Sequence, residues 1–189
     1  MSIATNFTLR QYERMVESGA FDGENRERVE FIRGEIRKMS PIGYRHCLVV
    51  DLLSRWSFDN LTGDQATIRI QGSVQIPSLS SQPEPDILWL APRLYSKGHP
   101  TTDDILLVIE VAESSVAYDT GEKAQLYAEA GVADYWVFNL VEDCVEVYRQ
   151  PQATGYKSLT TYREQEEVRP LAFDKLSLKP ATILQVDGE

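Results

Sequence analysis

The sequence predicts an α/β (α+β) fold, a mixed β-sheet flanked by helices. Two near-continuous apolar runs, residues 105–112 and 135–140, are typical of central strands that are covered on both faces. Residues 119–130 between them have the pattern of a helix, so strand, helix and strand form a βαβ unit with a parallel pair. Because the 189 residues contain no internal repeat and no Gly-, Ser- or Pro-rich linker, we expect a single domain over residues 1–189.

The first part of the chain predicts two helices with a hairpin between them. Residues 8–18 have polar ends around an apolar centre, which is typical of a short helix. Residues 29–39 alternate between apolar and polar on both sides of Gly34, which is typical of a β-hairpin. From Tyr44 to Phe58, large apolar residues recur four positions apart, and this spacing predicts an amphipathic helix.

Two strands and a capped helix are predicted in the middle of the chain. Residues 66–76 form one predicted strand with a bulge near Gly72, and residues 86–90 form the next strand after a polar loop. Asp119 as N-cap and Glu122 at the third helical position have the pattern of a capping box. We therefore expect the helix to begin at Asp119.

The C-terminal part of the chain predicts fewer regular elements. Residues 144–148 and 156–162 have the composition of two paired strands, either a hairpin or an edge pair. From Val168 onward the sequence is weakly patterned, so we expect an extended tail.

Composition excludes several classes of protein. With 19 Lys and Arg against 29 Asp and Glu, the net charge of −10 disfavours a protein that coats nucleic acid with its whole surface. No apolar run approaches the roughly 18–20 residues that span a bilayer, and the N-terminus lacks the apolar segment of a signal peptide. Cys47 and Cys144 are far apart and have no metal or redox spacing. We therefore expect a cytoplasmic protein that makes no membrane contact.

The charges are unevenly distributed along the chain. From Asp103 to Glu146 there are eleven acidic residues and a single basic residue, Lys123. From Glu24 to Arg55 the balance reverses, with seven basic residues against five acidic ones. One part of the chain could therefore face an anion, while the other binds cations or forms a solvated surface.

Two carboxylates stand out because they adjoin apolar strands. Glu110 interrupts the apolar run 105–112, where an unpaired buried carboxylate would cost several kcal/mol. Asp86 follows Pro85 and opens the next apolar run. The alternatives are a strand-end carboxylate in solvent for Glu110 and a simple turn residue for Asp86. Two carboxylates on neighbouring strands would form a hard oxygen site of the kind that Mg²⁺ or Mn²⁺ prefers.

Lys123 is notable for its position on the predicted helix. The residues three, four and seven positions beyond it are apolar, so the lysine lies on the inward-facing stripe of the helix. The alternatives are a lysine that extends to solvent, or an ion pair with Glu110 or Asp119.

Two acids and one ammonium group favour one class of reaction. The acids can hold a divalent ion against a phosphate, and the ammonium group can stabilise developing charge and orient water, which suits phosphodiester hydrolysis. A glycosidase would use the two carboxylates but would leave Lys123 without a role. Zinc chemistry is disfavoured because His46 and His99 are the only histidines and have no ligand partners at suitable spacing.

Six stretches of the chain carry a family resemblance. They are, in order, residues 29–36, 39–41 with His46, 85–87, 108–112, 118–123 and 126–136. Through Glu84-Pro85-Asp86 followed by Ile109-Glu110-Val111, the chain resembles the PD-(D/E)XK nuclease superfamily. More closely, it resembles a bacterial family described as "putative restriction endonucleases", a domain of largely unknown biology. The resemblance covers nearly the full chain, and its final stretch is the most specific.

The resemblance implies a restriction-endonuclease-like core with a metal site. In such a core Asp86 and Glu110 would be ligands of Mg²⁺, with Mn²⁺ as a second candidate. The superfamily lysine normally stands two residues after the second acid, where this chain has Ala112. Some members carry the lysine on the following helix, and Lys123 fits that position.

The resemblance also implies neighbours and partners for this site. Glu30 matches a family acid that completes the metal shell or orients water. His46 and Asp119 are expected beside the metal ligands, although a histidine on a mixed helix face also suits a structural role. The implied substrate is DNA, and cutting both strands would favour a homodimer with two-fold symmetry. The segment from Arg26 to Arg55 would then face DNA, with a solvated face as the alternative.

The chain departs from the family pattern at two further places. Many relatives have Ser-Pro-Ser where this chain has Glu113-Ser114-Ser115, and Asn139 stands where relatives often carry Asp. Neither change removes a proposed ligand. The net charge of −10 and the missing in-strand lysine leave one alternative function open, an inactive member of the fold that serves as a protein-interaction or DNA-binding module. Another is an enzyme that acts on small phosphoesters.

Overall fold

A six-stranded mixed sheet forms the centre of the structure, a computed structural model that describes residues 6–22 and 28–185. A separate two-stranded hairpin lies beside it. The strands are β1 (Val29–Ile32), β2 (Glu35–Lys38), β3 (Thr67–Ile70), β4 (Ile87–Leu90), β5 (Ile105–Ala112), β6 (Asp134–Asn139), β7 (Cys144–Gln152) and β8 (Gly155–Arg163). The order in the large sheet is β3-β4-β5-β6-β7-β8, and only β5 and β6 are parallel within it.

Helices flank this sheet. They are α1 (Leu9–Glu17), α2 (Tyr44–Asn60), α3 (Val116–Tyr118), α4 (Ala124–Glu129) and α5 (Ala181–Leu184). A π-helical turn, Asp119–Lys123, joins α3 to α4 and makes residues 116–129 one continuous helix. Among the described residues, none of the helices is both long and apolar enough to cross a membrane. The predicted fold class, a mixed sheet flanked by helices, is confirmed.

The large sheet separates two apolar cores. Because successive side chains of a strand point to opposite faces, Leu107 and Ile109 of β5 pack with α2, whereas Val108 packs against α4. The parallel pair of β5 and β6 with the helix between them is the predicted βαβ unit. Its central strands are buried on both faces, as their near-continuous apolar sequence predicts.

Two predicted elements differ from the structure. The predicted strand 66–76 is shorter, because Gln71 adopts a positive φ of 47° directly after β3 and turns the chain away from the sheet. The tail after Val168 is folded rather than extended. Val168 pairs with Leu178, and both pack in the core beside Ile183 of α5. The few apolar residues of this tail are irregularly spaced, so no periodic pattern marks them.

The predicted start of the helix at Asp119 is wrong. The helix begins three residues earlier, after Ser115, and Asp119 has helical dihedral angles of −70° and −39°. An N-cap residue needs a non-helical backbone, so Asp119 and Glu122 form no capping box. The Asp119 carboxylate instead accepts a hydrogen bond from the Ser115 hydroxyl at 2.5 Å.

Candidate active site

Asp86 and Glu110 meet where β4 and β5 pair. Ile87 lies opposite Ile109 in the antiparallel register, so Asp86, directly before β4, adjoins Glu110. The amide of Asp86 donates to Glu110 Oε2 at 3.3 Å, and the amide of Val111 donates to Asp86 Oδ2 at 2.9 Å. Both carboxylates are buried. The two predicted metal ligands therefore share one end of a β-ladder.

Lys123 extends into the same site from the helix. Its Nζ lies 3.0 Å from Glu110 Oε1, 3.3 Å from Glu30 Oε2 and 3.7 Å from Asp119 Oδ1. Only 4% of its side chain is exposed, so it does not extend to solvent. One buried ammonium group is thus shared by three carboxylates.

The π-helical turn brings Asp119 and Lys123 to this position. Such turns hold one residue more than an α-helical turn, and they occur frequently at functional sites. Tyr135 of β6 donates its hydroxyl proton to the Asp119 carbonyl at 2.8 Å, which fixes the turn against the sheet. As a result, Asp119 and Lys123 both face Glu110, while Leu126 still packs in the core.

Glu30 enters the site from the separate hairpin. It lies on β1 and is buried, with Glu30 Oε1 accepting a hydrogen bond from the Tyr118 hydroxyl at 2.9 Å. Glu30 Oε2 is buried and accepts no hydrogen bond within the described part of the chain. The Tyr118 ring lies 5.5 Å from Lys123 Nζ and 5.8 Å from the Arg37 guanidinium, so it contacts two cations.

His46 contacts the other end of the site. It lies on α2, and its Nε2 is 3.2 Å from Asp86 Oδ2. Its Nδ1 is buried without a hydrogen-bond partner among the described residues. The structure therefore brings together all six residues predicted at the site: Asp86, Glu110, Lys123, Glu30, His46 and Asp119.

The excess of acids over bases alters the proton affinities of the cluster. Burial raises the pKa of Glu110 well above its usual value, the Lys123 ammonium opposes that rise, and the charges of Asp119, Asp86 and Glu30 add to it. The pKa of Asp119 is also raised, again mainly by burial. Burial alone would lower the pKa of Lys123, but Glu110 and Glu30 raise it well above its usual value. Lys123 is therefore charged at neutral pH, whereas ionisation of Glu110 carries a free-energy cost.

A cavity of about 350 Å³ opens above these groups. Its lining includes all six site residues, the Met39–Gly43 loop and Glu113. The carboxylate of Glu113 lies against Gly43, where an added Cβ would approach Glu113 Oε2 to 2.8 Å. The departure from Ser-Pro-Ser noted in the sequence therefore places an additional acid at the cavity wall.

The arginines predicted to face DNA mostly form ion pairs within the chain. The pairs are Arg28 with Glu84, Arg33 with Glu129, Arg37 with Glu35 and Glu122, and Arg45 with Asp143. Arg28 and Arg37 also line the cavity. Arg26 lies outside the described residues. Because partly exposed ion pairs contribute only about 0–1 kcal/mol, a phosphate could displace their carboxylates.

The donor set fits a hard divalent ion. The described residues contain no group of three His, Cys, Asp or Glu side chains that could hold a metal ion by themselves. Two carboxylates suffice for Mg²⁺, which commonly takes its remaining ligands from water and substrate phosphate. Neither Asp86 Oδ1 nor Glu30 Oε2 accepts a hydrogen bond from a described residue. Asp86 Oδ1 thus remains available to an ion or to water, whereas Glu30 Oε2 is ion-paired with Lys123 at 3.3 Å.

Two tyrosines of the site were not predicted as functional residues. Tyr127 donates its hydroxyl proton to Glu110 Oε1 at 3.3 Å, and Tyr118 binds Glu30 as described above. The sequence positions of both tyrosines could have indicated a place at the site. Tyr127 stands four residues after Lys123 on the same inward stripe, and Tyr118 opens the stretch 118–123.

Comparisons with known proteins identify first the fold and then the family. A crystal structure titled as a putative nuclease belonging to DUF820, from Anabaena variabilis, matches with a TM-score of 0.70. The match covers 95% of this chain and 98% of that chain, at 15% sequence identity. Because the identity is low, the match shows that the two chains share a fold. The model of the Uma2 family, described as "Putative restriction endonuclease", matches residues 9–181. The chain therefore belongs to the Uma2 family, as the sequence motifs predicted. None of the curated proteins matches it.

Proposed function

We propose that this protein is a divalent-metal-dependent endodeoxyribonuclease, which hydrolyses phosphodiester bonds of DNA. The observation that carries the proposal is the Lys123 ammonium group, buried beside Glu110 and Glu30 at the floor of an open cavity. An acidic cluster that contains one lysine is suited to bind a cation and a phosphate together. Membership of the Uma2 family, described as "Putative restriction endonuclease", supports the same chemistry.

Asp86 and Glu110 would hold Mg²⁺ or Mn²⁺ with carboxylate oxygens. A bound divalent ion supplies Lewis-acid neutralisation of phosphate charge and lowers the pKa of water. His46 and the amide of Val111 contact Asp86 Oδ2, so Asp86 Oδ1 would be the oxygen that binds the metal ion. The role of these two groups is to fix the orientation of the carboxylate.

Lys123 would stabilise the negative charge that develops on the scissile phosphate. Because Asp119 and Glu30 flank it, the ammonium group is held in place and remains protonated. Glu30 Oε2, which accepts no hydrogen bond from the described residues, would orient the attacking water. Tyr118 holds Glu30 in this position through its hydroxyl group.

The proposed partners are DNA and a second copy of this chain. Displacement of the acids that now pair with Arg28 and Arg37 would let these side chains bind phosphates next to the cavity. The same ion pairs, with the net charge of −10, motivate the second candidate function, an inactive module of this fold that binds protein or DNA.

Titration calorimetry with Mg²⁺ and Mn²⁺ tests the proposal. Wild type is expected to bind, and the double variant Asp86→Asn with Glu110→Gln is expected to lose binding. Asp103→Asn is the control, because Asp103 is an exposed acid away from the cavity. Absence of binding in folded wild type would contradict the proposal and favour the inactive module.

Cleavage of circular and linear DNA, followed on gels, completes the test. Cleavage should require the divalent ion and disappear in the double variant. A nuclease that contacts several phosphates should also lose affinity for DNA steeply as salt rises. Hydrolysis of small phosphoesters that is insensitive to salt, without cleavage of DNA, would replace DNA with a small substrate.

A further inference from the structure

Helix α2 has apolar side chains on two opposite faces. Its inward face, which includes Val49 and Leu53, is buried in the core beneath the sheet. On its outward face Tyr44 is 88% exposed, Phe58 is 58% exposed and Leu48 is 42% exposed. A surface helix of a globular protein normally presents polar residues to water, so this second apolar face requires an explanation.

The outward residues follow the spacing of a helix–helix seam. Tyr44, Leu48, Asp51, Arg55 and Phe58 are separated by four, three, four and three positions. This alternation is the heptad spacing of two helices that pack side by side. Apolar residues occupy both ends of the seam, and one acid and one base occupy its centre.

The two central charges have no partner within the described chain. Asp51 and Arg55 are exposed and four residues apart, in the orientation that favours an ion pair along a helix. Neither residue forms an ion pair or a side-chain hydrogen bond with another described residue. Their charges are therefore available to a partner that approaches this face.

We propose that this outward face of α2 is the interface of a two-fold symmetric homodimer. Two α2 helices packed antiparallel place Asp51 opposite Arg55 of the partner subunit, and Leu48 opposite Phe58 of the partner subunit. Because the axis is two-fold, each of these contacts occurs twice, which gives two ion pairs and two apolar contacts. Tyr44 then lies over the end of the partner's helix.

Charge complementarity indicates which molecule packs against this face of α2 and in which orientation. Parallel packing would place Asp51 against the same residue of the partner, where like charges repel. Nucleic acid would meet the carboxylate of Asp51 and three apolar side chains, which suits it poorly. A second copy of this chain would give Asp51 and Arg55 a partner of opposite charge and would give Leu48 and Phe58 an apolar contact. The interface is independent of the proposed nuclease activity, and its test requires neither metal nor DNA.

Sedimentation equilibrium of the full chain tests the proposal. Wild type should form a dimer in the micromolar range, since one helix pair buries less than a standard interface of about 1,600 Å². Leu48→Lys should raise the dimer dissociation constant at least about tenfold. Leu94→Lys is the matched control, since Leu94 is 88% exposed and lies outside α2. It should leave the dimer unchanged.

A charge exchange gives the decisive result. Asp51→Arg alone and Arg55→Asp alone should each weaken the homodimer, because like charges then face each other across the axis. An equimolar mixture of these two variants should form a heterodimer, in which every facing pair is again complementary. Within each helix of that heterodimer the two charges are alike, so an intrahelical effect cannot explain the recovery. Circular dichroism establishes that each variant is folded.

Three results would overturn the proposed interface. They are a wild type that stays monomeric throughout the micromolar range, a dimer that Leu48→Lys does not weaken, and a mixture of the charge variants that fails to associate. A dimer that only Leu94→Lys weakens would place the interface elsewhere on the chain.

Discussion

Two buried carboxylates on neighbouring strands differ in how completely donors and cations surround them. Asp134, at the start of β6, is almost completely buried and is surrounded by donors. It accepts hydrogen bonds from Arg149 Nε, Trp136 Nε1 and the amide of Leu171, each at 2.8 Å. One guanidinium group neutralises one carboxylate, and both carboxylate oxygens are satisfied.

Glu110, on β5, is buried to a similar degree but shares its cation. Lys123 forms ion pairs with Glu110, Glu30 and Asp119. The other two hydrogen bonds to Glu110 are long, at 3.3 Å. Burial raises the pKa of Glu110, and the Lys123 ammonium group only partly opposes this rise because three further acids add to it. A buried carboxylate that the protein neutralises by itself is a structural group whose loss leaves its partner charge unpaired, whereas a surplus of buried carboxylates indicates a site for an external cation.

The largest expected effect is on catalysis, through the shared lysine. Lys123→Met keeps most of the side-chain volume but removes the ammonium group, so cleavage of DNA should fall by about 10³-fold. Metal binding should persist, because the substitution removes a cation that competes for Glu110. Initial rates of cleavage and titration calorimetry measure the two effects.

Lys157→Met is the control for this prediction, because Lys157 is an exposed lysine of β8. It should cleave at the wild-type rate. Cleavage by Lys123→Met within tenfold of wild type would remove Lys123 from the mechanism.

The second effect is on stability, through Asp134. Asp134→Ala leaves the Arg149 guanidinium and the amide of Leu171 without their acceptor, so the free energy of unfolding should fall by about 3 kcal/mol. Urea denaturation followed by fluorescence measures this change. The rate of cleavage per folded molecule should stay unchanged, and its loss would make Asp134 part of the site.

The third effect is stabilisation by the metal ion. Saturation of the site at about one hundred times its dissociation constant should raise the free energy of unfolding by about 2.7 kcal/mol. The rise should disappear in Glu110→Gln. Urea denaturation with and without Mg²⁺ measures it, and an equal rise in Glu110→Gln would place the binding ion elsewhere.

The smallest effect is on the pH dependence of the metal-free protein. A carboxyl group whose pKa is raised by folding contributes stability below its unfolded pKa, and that contribution is lost as pH rises through the folded pKa. Glu110→Gln removes this dependence, so its stability relative to wild type should increase as pH rises above the pKa of an unfolded glutamate, about 4.3. Thermal denaturation across this range checks the sign, and a relative stability that decreases with pH would contradict it.

The residues of the site were predictable where they broke a local pattern. A carboxylate inside an apolar strand identified Glu110, and a lysine on an inward stripe identified Lys123. The alternative of an ion pair with Glu110 or Asp119 also describes their geometry, because Lys123 contacts both. The catalytic and metal-binding roles of these residues stay predictions.

Other features depend on tertiary contacts that periodicity does not reveal. Glu30 reaches the site because the hairpin is anchored by a β-bridge between Phe31 and Gln82, 51 positions apart by their residue numbers. The π-helical turn is a change in hydrogen-bond register, which leaves the apolar spacing on either side nearly intact. The first residue of the helix was predicted wrongly because Asp119 and Glu122 have the spacing of a capping box although both lie inside the helix.

The folded C-terminal tail has a consequence for synthesis of the protein. Val168, Leu178 and Ile183 complete the core that contains Trp89 and Trp136. Until a ribosome has released this tail, that face of the sheet is incomplete, and two large aromatic side chains lack part of their cover. The nascent chain should therefore bind chaperones until residues 168–183 emerge, and premature termination near residue 165 should yield an aggregating product rather than a smaller active one.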